Sequence, residues 1–174
     1  MRLSSGILIS PVIIAIIAPA AMATVYLSQE QALTTIFDGK SDFKASSLRL
    51  TKSQRKLVSD STGLTVRDQE IQVWTAADGS QMYVDHVVGK HEFITFSVGI
   101  NSDGNVRGVE ILEYKETYGG EIRRPEWRKQ FQGKKLSDPI KLGNDIKNIS
   151  GATLSSRSVT DGVKRLLAIR ALLK

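Results

Sequence analysis

The sequence predicts an α+β fold in which an antiparallel sheet is flanked by helices and followed by a C-terminal amphipathic helix. Closely spaced β-rich runs separated by short turn signals predict an antiparallel meander in the middle of the chain. Two capping signals precede short helical patterns on its N-terminal side. Residues 156–173 repeat apolar side chains at helical spacing, which predicts the last helix.

Local capping signals predict two short helices ahead of the sheet. In each, a serine or threonine is followed three residues later by glutamine, so that the two residues cap the first turn reciprocally. The polar stretch between the two patterns predicts a loop. The first helix is expected over residues 28–37 from Ser28, the loop over 38–50, and the second helix over 51–61 from Thr51, with Gly63 as its stop.

The central β-rich region contains four runs separated by the turn signals Asp78-Gly79, Gly89-Lys90 and Asp103-Gly104. In the last run neither set of alternating residues is wholly polar, so both faces of the strand should be partly covered. One face is expected to carry Val106, Gly108, Glu110, Leu112 and Tyr114. The strands are expected at residues 72–75, 81–88, 92–100 and 105–114.

A charged segment at residues 115–138 separates the last strand from the C-terminal part of the chain. Its adjacent glycines and its proline predict a structured loop with one helical turn around Trp127 to Phe131. The terminal helix over 156–173 should bury one apolar side. That side is expected to contain Val159, Val163, Leu166, Leu167, Ile169 and Leu173.

The N-terminus has the features of a secretory signal, which predicts three segments: signal peptide 1–23, N-terminal helical extension 24–69, and main domain 70–174. A positive start, an apolar run and the small-x-small site Ala21-Met22-Ala23 indicate cleavage before Thr24 and a periplasmic location. The apolar run also approaches the length of a membrane span, so a retained anchor is the alternative.

The composition narrows the possible chemistry. The 174 residues include no cysteine, which excludes iron-sulfur clusters, c-type haem attachment and dithiol redox centres. A net charge of +6 can steer a protein towards nucleic acid, an anionic lipid surface, an acidic partner or a phosphate-bearing ligand, or it can simply form a solvated surface. Nucleic acid is not expected, because the chain has an export signal and lacks zinc-finger, helix-turn-helix and RNA-binding signatures.

The segment Ser150-Gly-Ala-Thr-Leu-Ser-Ser156 combines small residues with hydroxyls directly before the terminal helix. Unpaired amides at a helix N-terminus attract anions, and small residues allow a phosphate to approach the backbone. The alternative is structural, since serine and threonine at a helix start commonly cap it. From the residues alone, a phosphate site and a simple cap both remain open.

Ser150-Gly-Ala-Thr-Leu-Ser155 resembles the S/T-G-A-T-x-S motif of the FMN-binding domain family. Glu113-Tyr-Lys-Glu-Thr-Tyr-Gly119 is similar to the strand and E-T-x-G segment of that family, and Val159 to Leu167 is similar to its terminal helix. The family includes flavin subunits of the sodium-pumping NADH:quinone oxidoreductase and of the Rnf complex. In those proteins the threonine of the motif carries FMN through a phosphoester.

The resemblance implies an exported electron carrier with FMN on Thr153, loaded by an FAD:protein FMN transferase. Its redox partner would be a cytochrome or a membrane reductase, and it would touch the membrane only transiently or through an uncleaved N-terminus. It could equally be a reductase subunit, so whether it is an enzyme stays open. The implied cofactor-binding residues are Thr153, Ser150, Gly151, Ala152, Leu154, Ser155, Glu116, Thr117 and Gly119.

One position differs from the family pattern. Many members have an aspartate three residues before the first serine of the motif, where this chain has Lys147. Asn148 or Asp145 would then take over part of the polar role of that aspartate. The alternative function is an exported module that binds FMN without a covalent bond, or binds a protein, and has no redox role of its own.

Other side chains suggest weaker alternatives. His86 and His91 supply at most two metal ligands, and no cysteine can complete a set, so no metal site is expected. Lys90 or His91 near a flavin would tune its potential. Strand alternation and turn composition explain the glutamates at 110, 113, 116 and 121 without catalysis. The segment Arg123 to Arg128 would form either a solvated loop anchored by Trp127 or a docking surface for a partner.

Overall fold

A computed structural model describes residues 24–40, 42–116 and 118–174 of the chain. The expected signal peptide, residues 1–23, therefore lies outside the described residues. The core of the fold is one six-stranded antiparallel sheet with the strand order β1-β6-β5-β4-β3-β2. The strands are β1 Thr24–Val25, β2 Lys44–Arg49, β3 Glu70–Thr75, β4 Gln81–Val88, β5 Phe93–Ile100 and β6 Val106–Tyr114.

The predicted meander is confirmed, because β3, β4, β5 and β6 pair in sequence order as antiparallel neighbours. β2 extends this meander at one edge by pairing with β3. The two-residue β1 pairs with the end of β6 at the other edge. The strand that leads into the predicted E-T-x-G segment is therefore held between two neighbours at its C-terminal end.

The helices begin where the capping signals predict them. Ser28 and Gln31 form the capping box of the first helix, and Thr51 and Gln54 form that of the second, which ends at the left-handed Gly63. The segment after β6 contains short helical turns, and one long helix closes the fold. The helices are α1 Gln29–Ile36, α2 Lys52–Thr62, α3 Pro125–Arg128 and α4 Thr153–Leu173, with 3-10 turns at Gly120–Arg123 and Lys129–Phe131.

Helices cover both faces of the sheet, which confirms the α+β class. α1 packs on one face through Leu33 and Ile36 against residues such as Met82 and Leu112. α4 and α2 pack on the other face, where Val163 and neighbouring residues form the larger core. The segment between β6 and α4 contributes buried side chains to this larger core, so the chain around α4 is anchored from several directions.

Two predictions about elements are wrong. The expected loop at 38–50 contains β2, a strand whose sequence KASSLR has little apolar character and whose residues are mostly exposed. The last helix begins at Thr153 instead of Ser156, so the segment expected to precede the helix forms its first turn. Leu173, expected on the buried side, is 42% exposed at the last turn of the helix.

The expected alternation along β6 is also wrong in part. Register shifts fall opposite Thr95/Phe96 and Gly99/Ile100 of β5, and each inserts an extra β6 residue. The shifts separate Leu112, which packs under α1, from Val106 and Tyr114, which join the core under α4. A bulge changes which face the following side chains occupy, and such a change cannot be read from a period of two.

The expected boundary at residue 70 stays a prediction. β2 and β3 lie on opposite sides of it and are adjacent strands of one sheet over six residue pairs. The 24–69 segment thus contributes both edge strands of the sheet, β1 and β2, as well as two helices.

Candidate functional site

The N-terminus of α4 lies at a turn that has no side-chain cap. Its N-cap residue is Ala152, which has no side-chain oxygen with which to accept from the first-turn amides. Gly151 precedes it with φ at +83°, the left-handed region that favours glycine. The first hydrogen bond of the helix runs from the amide of Ser156 to the carbonyl of Ala152, at 2.8 Å. Among the described residues, no serine or threonine side chain caps this helix, so the structural explanation of these hydroxyl residues does not hold. The first-turn amides have no intrahelical acceptor.

Thr153 is the first residue of the helix, and its hydroxyl is held in place. The amide Nδ2 of Asn148 donates to Thr153 Oγ1 at 3.0 Å. Thr153 is partly exposed and lines a cavity. Of the two residues between which the sequence left the polar role open, Asn148 is the one that contacts Thr153.

Asp145, the other candidate for that role, is engaged elsewhere. Its carboxylate accepts from Lys134 Nζ at 2.8 Å and from the amides of Lys141 and Ile140 at 2.8 and 3.1 Å. Burial raises the pKa of Asp145, but these hydrogen bonds outweigh it and hold the pKa below its ordinary value. Asp145 therefore closes the loop ahead of the site.

The backbone around Lys147 is fixed by the preceding segment. Trp127 Nε1 donates to the carbonyl of Lys147 at 2.8 Å, and the amide of Lys147 donates to Gln130 Oε1 at 2.8 Å. Trp127 is buried in the main core, as expected for an anchored loop. The side chain of Lys147 itself is exposed.

The two segments identified in the sequence meet where Gly119 approaches α4. A Cβ on Gly119 would overlap the phenol oxygen of Tyr114 and would lie 3.2 Å from Ser155 Oγ. Gly119 also has φ at +95°, so glycine is required here for both space and conformation. Tyr114 donates to the carbonyl of Tyr118 and lies 3.0 Å from Ser155 Oγ.

Glu116 fixes the turn between β4 and β5 beside the same site. Its Oε1 accepts from the amides of His91 and Glu92, the latter at 3.0 Å. Burial raises the pKa of Glu116, but the amides of Glu92, His91 and Lys90 outweigh it and lower the pKa overall. Glu116 is therefore a structural carboxylate that positions Lys90 and His91.

These elements enclose a cavity of about 690 Å³, a size typical of small-molecule sites. Tyr118 is 84% exposed and Leu154 is 51% exposed, so large apolar surfaces face solvent at its rim. Lys90 and His91 add cationic and polar groups to its lining. The cavity is lined by Lys90, His91, Glu116, Tyr118, Gly151, Ala152, Thr153, Leu154 and Ser155.

Most of the residues identified in the sequence fall around this cavity. Gly119 lines a neighbouring cavity, and the exposed Ser150 lies outside the walls of both. The hydroxyl of Ser155 is buried against Tyr114 and is already hydrogen-bonded. Thr117 lies outside the described residues. Sequence reasoning missed Tyr118, the variable residue of the E-T-x-G segment, because nothing in the motif indicates its exposure.

The histidines and glutamates that suggested a metal site or acid-base catalysis in the sequence make other contacts in the structure. His86 packs edge-on against Phe93, with ring centroids 5.2 Å apart, while His91 lines the cavity. In the part of the chain that the structure describes, no three His, Cys, Asp or Glu side chains form a metal-binding group. Glu110 pairs with Arg128, and Glu113 accepts from Thr95 and pairs with Lys115 at 3.4 Å.

The fold and the site define an α+β domain with a cavity at the N-terminus of its long helix, suited to a ligand that carries a phosphate. Residues 89–168 match the family model described as the FMN-binding domain. This match confirms the resemblance found in the sequence.

Curated relatives match a similar portion of the chain. One subunit of the ion-translocating oxidoreductase complex of Erwinia tasmaniensis is 36% identical over 83 residues, or 41% of this chain and 40% of that protein. One subunit of the Na(+)-translocating NADH-quinone reductase of Vibrio vulnificus is 38% identical over 79 residues, or 36% of this chain and 31% of that protein. The chain thus matches 40% or less of the length of these two relatives.

A solved structure also resembles this chain. The crystal structure of the corresponding Na(+)-translocating NADH-quinone reductase subunit from Parabacteroides distasonis aligns with a TM-score of 0.48 and 20% identity. The alignment covers 82% of this chain and 85% of that one.

The residues present fit FMN. The cavity combines exposed apolar surface for a ring system, from Tyr118 and Leu154, with a hydroxyl and free helix amides for a phosphate at Thr153. Lys90 and His91 add positive or polar groups to the same cavity. No helix within 24–40, 42–116 and 118–174 combines the length and apolar character needed to cross a bilayer.

Proposed function

We propose that this protein is an exported electron carrier whose FMN is joined covalently to Thr153 through a phosphoester. An FAD:protein FMN transferase would load it, and a cytochrome or a membrane reductase would exchange electrons with it. When bound, the flavin supplies one- and two-electron transfer, which no cysteine-based centre in this chain can supply.

The observation that carries the proposal is the position of the Thr153 hydroxyl. Thr153 is partly exposed and lines the cavity, and its hydroxyl accepts a hydrogen bond from Asn148 Nδ2 at 3.0 Å. In the attachment step Thr153 Oγ1 forms a bond to the phosphorus of the FMN half of FAD. The bond between the two phosphates of FAD breaks, AMP leaves, and the threonine proton passes to a base of the transferase.

The surroundings suit the product of that step. The phosphodiester keeps one negative charge, which the first-turn amides of α4 stabilise because Ala152 provides no competing cap. The flavin ring would lie against Tyr118 and Leu154, within reach of Lys90 and His91. Thr153 is a tether in this scheme and takes no part in electron transfer.

The compartment and partners rest on the sequence and on the relatives. The segment 1–23 has the features of an export signal, which favours the periplasm, with a retained anchor as the alternative. The relatives are named as subunits of an ion-translocating oxidoreductase and of a sodium-translocating quinone reductase. These names support a membrane redox chain as the source or acceptor of electrons.

Intact-mass spectrometry on full-length protein co-expressed with a flavin transferase tests the proposal. Wild type should gain the mass of one FMN minus one water, and the denatured protein band should fluoresce. Thr153→Ala should show neither. Thr65→Ala removes an exposed threonine hydroxyl outside the walls of the cavity and is the matched control, which should load normally. An unmodified wild-type mass, or loading of Thr153→Ala, would contradict covalent attachment at Thr153.

Reversible FMN binding is the second candidate, and Lys147 is the observation that favours it. Its exposed side chain stands where many members of the family have an aspartate, directly before the Asn148 that orients Thr153. Under this alternative, wild type would carry FMN that is lost on denaturation. A rise in the covalently loaded fraction in Lys147→Asp would show that the lysine limits recognition by the transferase.

A further inference from the structure

A second cavity adjoins the proposed flavin cavity and shares Tyr118 and Gly151 with it. It measures about 590 Å³, and its remaining walls come from the segment after β6. Gly119 and Gly120 lie in this wall, so together with Gly151 they leave the backbone open to close approach by another molecule. A molecule bound in this second cavity would therefore lie next to the flavin ring that we propose to lie against Tyr118.

Two arginines give the second cavity its charge. The guanidinium carbon of Arg123 lies 3.8 Å from the ring centroid of Tyr26, which orients this side chain. Arg124 is exposed. Within the described ranges neither arginine forms an ion pair, whereas the nearby Arg128 is neutralised by Glu110. Glu121 is the carboxylate among the lining residues, so the arginines leave the second cavity net positive.

We propose that this second cavity docks carboxylates on the acidic surface of the protein that exchanges electrons with the flavin. The inference rests on the proposed function and names the chemistry of the partner. Arginine, tyrosine and tryptophan are enriched among the residues that dominate binding at protein interfaces. Arg123, Arg124 and the exposed Tyr118 line the same cavity. Opposite charge steers encounter, so a partner drawn to the arginines arrives beside the ring.

Stopped-flow oxidation by two small probes of opposite charge measures this steering. The loaded full-length protein is reduced with dithionite and then mixed with anionic ferricyanide or cationic hexaammineruthenium(III). Each probe ion takes one electron, so two are consumed per reduced ring, and protons gained on reduction return to water. The quantity measured is the ratio of the ferricyanide rate to the ruthenium rate.

The double variant Arg123→Gln/Arg124→Gln should lower this ratio about tenfold at low ionic strength. The difference should vanish at about 1 M salt, where the screening length is roughly 3 Å. Arg123→Lys/Arg124→Lys should keep the wild-type ratio because it keeps the charge. Lys44→Gln/Lys52→Gln removes two exposed charges on and beside the opposite edge strand and should change the ratio far less.

The other outcomes separate the possible failures. If wild type carries no flavin by mass, the proposed function falls and this inference with it. If the flavin is present but the ratio is unchanged, or changes equally in the control variant, the docking site alone is wrong. Saturable inhibition by inorganic phosphate at constant ionic strength would assign the second cavity to a free anion instead. Arg124→Gln alone serves if the double variant does not fold, and it should lower the ratio in the same direction.

Discussion

The phenol oxygen of Tyr114 on β6 lies 3.0 Å from the hydroxyl oxygen of Ser155 on α4, in buried surroundings. Because Tyr114 donates its proton to the carbonyl of Tyr118, Ser155 is the donor to Tyr114. These two hydrogen bonds therefore link the helix that carries Thr153 to the segment that carries Tyr118. Burial raises the pKa of Tyr114, which keeps this phenol neutral and able to donate.

Tyr114→Phe should therefore affect the site as well as stability. It removes both hydrogen bonds of the phenol, and we expect a loss of about 1–3 kcal/mol in the free energy of unfolding by denaturant. The fraction of protein loaded with flavin should also fall, since the Tyr118 segment is released from α4. Tyr83→Phe is the control: that buried phenol donates to Gln81 at 2.9 Å, away from the site. Equal loading losses in both variants would contradict the specific link.

Gly119→Ala should be more damaging than its size suggests. The new Cβ would overlap the phenol oxygen of Tyr114, in a residue with φ at +95°. Gly133→Ala isolates the effect of backbone conformation, because Gly133 has φ at +80° and nothing within 4 Å of the added Cβ. We expect about 1 kcal/mol of destabilisation in the control and roughly 2–4 kcal/mol in Gly119→Ala, with reduced flavin loading only in the latter. Thermal unfolding and intact mass measure the two effects.

Local signals allowed much of the fold to be predicted from sequence. The capping boxes at Ser28 and Thr51 act within one helical turn, so the two helix starts were predictable. β2 was not predictable because its exposed, weakly apolar residues are held in a strand by pairing with β3, a tertiary contact. The two register shifts in β6 likewise depend on the packing of neighbouring elements.

The part of the candidate site that is formed by one continuous stretch of sequence was predictable. The Ser150 to Ser155 segment was identified from its small and hydroxyl residues, and the resemblance added Gly119. The role of Asn148 was left open beside Asp145, since only the folded chain shows which of them reaches Thr153. Tyr118 was missed because its importance comes from 84% exposure beside the cavity, which depends on how the segment turns after β6.

Acid should loosen the β4–β5 turn through Glu116. The amides of this turn lower the pKa of Glu116 in the folded protein despite the opposing effect of burial. A carboxylate with a depressed folded pKa contributes stability that is present above its unfolded pKa and lost as the pH falls through the folded pKa. Glu116→Gln should therefore show a flatter loss of stability between pH 7 and acid than wild type.

Urea unfolding at several pH values measures this pH dependence, with Glu126→Gln on the exposed face of α3 as the control. Parallel curves for wild type and Glu116→Gln would contradict it.

The ion pair between Asp85 and Arg165 should be the costliest to break. Arg165 Nη2 lies 2.7 Å from a carboxylate whose side chain is 0% exposed, and the same carboxylate accepts from the amide of His86 at 2.8 Å. Asp85→Asn keeps the shape of the side chain but leaves the Arg165 charge partly buried without its partner, which costs about 3–5 kcal/mol.

Asp60→Asn is the comparison, because the Lys56–Asp60 pair has the same 2.7 Å separation on an exposed helix face. That variant should lose only about 0.3–0.5 kcal/mol. Denaturant unfolding of both proteins tests the contrast, and similar losses would mean that burial does not set the strength of these pairs.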